Sequence, residues 1–243
     1  MKMLTFANRN VKEMLRDPLT LAFGLGFPIV LILLLSAIQA NIPVSLFEIE
    51  SLTPGITVFG LSFMSLFSSL IVAKDRGSSL LQRLYTTPLS PLDFILGYTL
   101  PIIPISVAQS AICYFVAMIL GLEPSVNILY AIIFIMPVSI LFIAIGLLFG
   151  SVLNEKQVGG ICGALLTNLS AWLSGVWFDL KQVGGAFEKI ANVLPFVHAV
   201  EMERALLNGD IAGIFPHFYY VLGYGIALLF LAVFFFLRQM KKQ

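Results

Sequence analysis

Few groups in this 243-residue chain could do chemistry, and their spacing does not assemble a catalytic centre. There are two histidines and two cysteines. Cys113 and Cys162 both sit inside apolar runs, where a thiol behaves as a small hydrophobe rather than half of a disulfide or a metal pair. His198 has no second His, Cys or carboxylate cluster at metal-ligand spacing beside it, and His217 stands alone near the start of an apolar stretch. No H-E-x-x-H or G-x-S-x-G motif occurs. The chain contains no Gly-Lys dipeptide, so a G-x-x-x-x-G-K-[ST] phosphate loop is excluded. The expectation is a chain with no catalytic residue, no metal site and no cofactor of its own. If it does energised work, the nucleotide is hydrolysed by a separate polypeptide.

The elements that would position such groups are apolar. Hydrophobic residues make up 59% of the chain, charged residues only 11%, and the mean hydropathy is +0.98. A soluble domain carries about 25% charged residues, so this chain needs the bilayer as solvent. A membrane crossing takes about 20 apolar residues. Six uncharged stretches meet that length, at about 19–38, 54–73, 94–120, 125–153, 157–178 and 211–237. The expected fold is an all-α integral membrane protein with residues 1–18 as an N-terminal amphipathic interfacial helix. Residues 19–243 would form a six-helix transmembrane domain with short re-entrant or capping helices between spans five and six.

Loop charges give the orientation. Of the 14 basic residues, Lys2, Arg9, Lys12, Arg16, Lys74, Arg76, Arg83, Lys156, Arg238, Lys241 and Lys242 fall on one side, leaving Lys181, Lys189 and Arg204 on the other. Basic loops stay in the cytoplasm, which puts both termini inside. Three segments outside the spans are patterned. At the N-terminus, Met3, Leu4, Ala7, Val11, Met14 and Leu15 share one side of a helix while Lys2, Arg9, Lys12 and Arg16 occupy the opposite side, which makes either a membrane-surface anchor or a docking surface. After span two, a short helix stopped by Pro88 places Arg76, Leu80, Arg83, Leu84 and Thr87 on one face, again an interfacial loop or a docking surface. Between spans five and six, Pro195 opens a second short helix that Gly209 ends, carrying His198, Glu201 and Arg204.

These features resemble the membrane subunit of type-2 ABC exporters, six-helix permeases paired with separate ATPase subunits. The likeness extends over essentially the whole chain. It rests on Leu52-Thr53-Pro54-Gly55 entering span two, on Arg76-Gly77 through Leu84, and on Thr87-Pro88-Leu89-Ser90 with Gly97. Pro195 followed by Glu201, Arg204 and Gly209 completes it. The chain departs from the pattern at Ser78-Ser79-Leu80, and at Tyr98, where a lysine is expected.

The resemblance implies two ABC ATPase subunits as partners, with ATP and magnesium bound there, and a second permease copy or close paralogue completing the path. Nucleic acid is not an expected partner; membrane lipids are. It assigns ATPase coupling to Arg9, Lys12, Arg16, Arg76, Leu80, Arg83, Leu84 and Pro88, an outer gate to Pro195, Glu201 and Arg204, and a location in a prokaryotic plasma membrane. It points to spans two and five for the path, where Phe59, Ser62, Phe63 and Phe67, and Asn168 with Trp172, either line it or pack. A lining this greasy suits a hydrophobic or amphiphilic substrate. Small-residue pairs Gly146 and Gly150, Gly159 and Gly163, and Ser170 and Ser174 allow close helix approach, within one subunit or between two. A six-helix channel or an ATP-independent membrane scaffold would share the uncharged spans but leaves the patterned basic surfaces unexplained.

Overall fold

The computed structural model describes residues 2–78 and 90–240. Every regular element among them is helical. Helix α1 (Lys2–Arg16) gives way to α2 (Pro18–Gln39) across Asp17. The Asp17 carboxylate accepts from the backbone N–H of Leu19 at 3.1 Å and from the Thr20 hydroxyl at 2.7 Å. Pro18, which has no N–H to satisfy, takes the first helical position. A π-helical stretch, Ala22–Gly26, interrupts α2. Helix α3 (Ile49–Gly77) is the axis of the bundle and is buried along most of its length. Helix α4 (Pro91–Thr99) opens with a reciprocal capping box between Ser90 and Asp93. Leu100 and Pro101 separate it from α5 (Ile102–Ile119), so the expected third span is two helical pieces.

Helix α6 (Val126–Val152) packs along α3 and α11. Helix α7 runs over 155–173 as two α-helical segments, Glu155–Val158 and Thr167–Leu173, flanking a π-helical one, Gly159–Leu166. Short helices α8 (Leu180–Val183) and α9 (Gly185–Val193) lead to α10 (Pro195–Asn208). Gly209 ends α10 in the left-handed region, φ 71°, which a glycine enters without steric penalty. Helix α11 (Ile211–Met240) is the last.

Among the described residues, five helices are long and apolar enough to cross a membrane: Pro18–Gln39, Ile49–Gly77, Leu92–Ile119, Val126–Val152 and Ile211–Gln239. The stretch expected as a fifth span at 157–178 is not one of them. Its helix stops at Leu173, and Gly175 turns the chain at φ 72°, so Val176, Trp177 and Phe178 leave the helix. Hydropathy alone could not register that turn. The short helices expected between the last two spans are present as α8, α9 and α10.

Close approach of α3 and α6 depends on small residues. A methyl group at Gly146 would overlap the Ser65 carbonyl and the Ser68 hydroxyl, and one at Gly150 would meet the backbone of Ser69 at 2.7 Å. Those buried serines return their hydroxyl protons to backbone carbonyls, Ser65 to Ser62 at 2.6 Å and Ser69 to Leu66 at 2.8 Å. Their polarity is thereby satisfied inside an apolar contact. The pairs that could have served either within or between subunits therefore divide. Gly146 and Gly150 pack within the chain, as do the buried Ser170 and Ser174. A methyl group at Gly163 would meet the Leu66 side chain at 3.3 Å, whereas one at Gly159 would face open space.

Candidate functional site

One end of the bundle gathers α1, the C-terminal ends of α3 and α6, and the N-terminal ends of α4 and α7. The helical periodicity of α1 gives it three sides where two were expected. Phe6, Ala7, Asn10 and Met14 are buried against the bundle, Leu4 and Leu15 remain exposed, and Lys12 and Arg16 point outward. Asn10 lies within the buried side because its amide donates to the Gly97 carbonyl at 2.9 Å. The Phe6 ring meets Phe94 and Tyr98 edge-on, with centroids 5.7 and 5.0 Å away, and occupies the space over Gly97 that any side chain would fill.

A buried ion pair fastens this helix. The Arg9 guanidinium donates to both oxygens of Asp75, at 2.6 and 2.8 Å, and pairs with Glu13 at 2.7 Å. Asp75 is 2% exposed. Its Oδ2 also accepts from the Tyr98 hydroxyl at 3.0 Å, so the residue that departs from the family pattern supplies a donor to this carboxylate. Partial burial of Arg9 would lower its pKa, but the bonds and charge of Asp75, with Glu13, outweigh that and hold it above its ordinary value. Beside the pair, Lys12, Arg16, Lys74 and Glu155 rim a cleft of about 870 Å³ with Phe67 and Leu70 among its lining.

Arg76 closes the same end. It belongs to the last turn of α3, not to the loop helix expected after span two, and its Nη1 donates to the Gly150 carbonyl at 2.7 Å and the Leu153 carbonyl at 3.4 Å. A guanidinium there satisfies carbonyls that the end of α6 leaves unpaired and meets the negative end of its dipole. Leu80, Arg83, Leu84, Thr87 and Pro88, with the rest of that expected helix, lie outside the described residues.

The residues considered for a path do not share one surface. Phe59, Phe63 and Phe67 form the expected stripe on α3 and face α2. Phe23 stacks on Phe63 at 5.8 Å, Phe27 meets Phe59 and Phe63 at 6.3 and 5.7 Å, and Phe67 lies against Gly24. All three are nearly covered within the single chain, and Ser62 is fully buried with no partner for its hydroxyl among the described residues. Asn168 and Trp172 sit on the opposite kind of surface. Both are exposed on α7, where the Asn168 amide donates to its own helix at Ala164 and Trp172 leans on Phe178.

At the other end, Arg204 ties α10 to α3 and to the turn that follows α7. Arg204 donates to the Ser51 carbonyl at 3.3 Å, to the Gly175 carbonyl at 3.0 Å and to Glu201 at 2.8 Å. Pro195 starts the helix. His198 and His217 place their Nδ1 atoms 2.8 Å apart, and the Nε2 of His198 lies 2.9 Å from the Asn192 carbonyl. Since that carbonyl can only accept, His198 carries its proton on Nε2 when neutral, and His217 donates between the rings. Arg204, Glu201, His198 and His217, with Trp177, Phe178, Lys181 and Glu188, line a cavity of about 640 Å³.

Two residues escaped the sequence reading. Asp75 stands between Lys74 and Arg76 in the sequence, and its bonding partners come from 66 positions away and from the next helix. Glu203 is wholly buried, and its Oε2 accepts from the Tyr114 hydroxyl at 3.1 Å. A signal for Glu203 existed. It falls at helical spacing from Phe196, Ala199, Val200, Leu206 and Leu207, inside the apolar face of α10.

No curated protein matches the sequence. The helical bundle with its apolar spans agrees with the family model of the ABC-2 type transporter, which matches residues 1–208. With most of its length covered by that model, the chain belongs to the ABC-2 type transporter family and is a membrane component of such a transporter.

Proposed function

We propose that this permease subunit forms half of a translocation path, completed by a second copy or a close paralogue. It couples that path to two separate ATPase subunits and exports a hydrophobic or amphiphilic substrate across a prokaryotic plasma membrane. The observation that carries the reading is the clamped, basic end of the bundle. Helix α1 is held to α3 and α4 by Arg9, Asp75 and Asn10, while Lys12 and Arg16 on its outer side remain exposed beside a cleft. A rigidly attached helix with outward cations can pass a push from a soluble partner directly into α3, the axis of the bundle.

In this reading the basic end is cytoplasmic, as the loop charges require, and α7 supplies the sixth crossing. Its uncovered face, with Gly159, Asn168 and Trp172, supports a role in meeting the second subunit and lining the shared path. The aromatic stripe of α3 stiffens the wall behind it. The test is copurification from the native membrane. The chain should bring down an ATPase bearing a P-loop, and the double change Lys12→Glu with Arg16→Glu should weaken that association while α1 stays docked. Recovery of the same ATPase with the doubly reversed chain, or of no ATPase with the unmodified one, would remove the coupling proposal.

A further inference from the structure

We propose that Glu203 and Tyr114 form a proton-binding site inside the bundle, at the end opposite the basic one, which ties α10 to α5 through the Tyr114 hydroxyl while the carboxyl group is protonated. The geometry is specific. Glu203 has no exposed surface, one of its oxygens receives the Tyr114 hydroxyl, and the other, Oε1, is buried with no hydrogen-bond partner among the described residues. The adjacent cation is engaged elsewhere, because Arg204 points to Glu201, Ser51 and Gly175.

Among the described residues, the elements packed on α10 bring no compensating charge. Glu50 on α3, Tyr130 on α6, Cys162 on α7, Glu188 and Lys189 on α9, and Tyr219, Tyr220 and Tyr224 on α11 make no bond to Glu203. On the same side of the bundle, His217 of α11 is bonded to His198 of α10. The charges at the far end of α3 and α7 (Lys74, Asp75, Arg76, Glu155 and Lys156) lie with α1.

An ionised carboxylate in that position would be a buried charge balanced by one neutral donor. The protonated acid is the form such a site accommodates. Burial accordingly pushes the carboxyl up to about 8, although the Tyr114 bond acts in the opposite direction by stabilising the ionised form. Losing the proton favours states in which α10 lifts from α5 and water reaches the carboxylate. Proton release and separation of these two helices are therefore one event.

The full-length chain in lipid nanodiscs provides the test, with infrared difference spectra recorded across pH. The wild type should show a protonated carboxyl band that fades with a midpoint near 8, and Glu203→Gln should lack it. Tyr114→Phe, which removes the donor to the ionised form, should move the midpoint upward. Spin labels at Glu123 and Asn208 supply a second readout. Their separation should increase reversibly as the wild type is made alkaline, and should stay fixed in Glu203→Gln. If Glu203→Gln does not fold, the upward shift in Tyr114→Phe still decides the matter. A carboxyl band unaffected by either substitution, or label separations that respond to pH identically in wild type and Glu203→Gln, would overturn the proposal.

Discussion

The Arg9–Asp75 pair makes an asymmetric prediction. Removing Arg9 strands a carboxylate that is 2% exposed, leaving it the Tyr98 hydroxyl as its remaining donor among those described here. Breaking a buried pair in this way costs roughly 3–5 kcal/mol. The lower figure applies, because the Arg9 side chain is itself 35% exposed and its share of the interaction is screened. Removing Asp75 instead leaves a guanidinium that reaches solvent and still pairs with Glu13. That change loses charge-assisted bonds worth about 1.5 kcal/mol. With a coupling of about 2 kcal/mol between the two sites, the double substitution should destabilise docking by about 2.5 kcal/mol, less than Arg9→Ala alone.

The assay is alkylation of a cysteine placed at Ala7, which the docked helix covers. Relative to that background, Arg9→Ala should raise the labelling rate about 100-fold and Asp75→Ala about 10-fold, since each 1.4 kcal/mol is a factor of ten. The doubly substituted chain should label no faster than Arg9→Ala. Equal single effects that add in the double variant would refute the assignment of Arg9 as the partner of a buried carboxylate.

Three further outcomes follow from the same geometry. Gly146→Val should force α3 and α6 apart and lower thermal stability, by about 1–3 kcal/mol or more from overpacking. A methyl group at Gly159 meets no atom within 4 Å in the single chain, so a loss of assembly in Gly159→Ala would report on contact with another subunit. Lys74→Ala should change α1 docking by less than about 1 kcal/mol, because its pair with Glu13 is an exposed one, and the Ala7 labelling assay measures that as well. For Glu203 the sign is fixed by the raised value. Docking of α10 should be strongest below about 4.5, weaken steadily as pH rises toward about 8, and level off above it. The total loss is on the order of 5 kcal/mol, read from the pH dependence of the Glu123–Asn208 label separation.

Glu203 and Asp75 show what one-dimensional reading can and cannot reach. Both are single carboxylates whose neighbours in sequence look solvated, Lys74 and Arg76 for one, Glu201 and Arg204 for the other. Burial is decided by which face of a helix meets another element, and the partners, Arg9 and Tyr114, come from elsewhere in the chain. Helical spacing could have flagged Glu203, since it interrupts an apolar face. Nothing local could have flagged Asp75 as the anchor of α1. The same limit applies to the phenylalanine stripe. Its spacing of four was plain, but whether it faced a path or a neighbouring helix depended on where α2 lay.

The sequence by itself determined the solvent of this protein, its helical class, the absence of a nucleotide loop, and the charge asymmetry between its loops. Those are properties of composition and local order, and hydropathy over 20 residues is a local quantity. Tertiary structure decided where α7 ends, which small residues are spent inside the chain, and that the basic N-terminal helix is bolted to the bundle rather than lying free. It also decided that α10, a short helix outside the apolar spans, holds the Glu203 carboxyl against Tyr114. These facts depend on long-range packing, in which a turn at Gly175 or a carbonyl at Gly97 acquires its meaning only from the residue that reaches it.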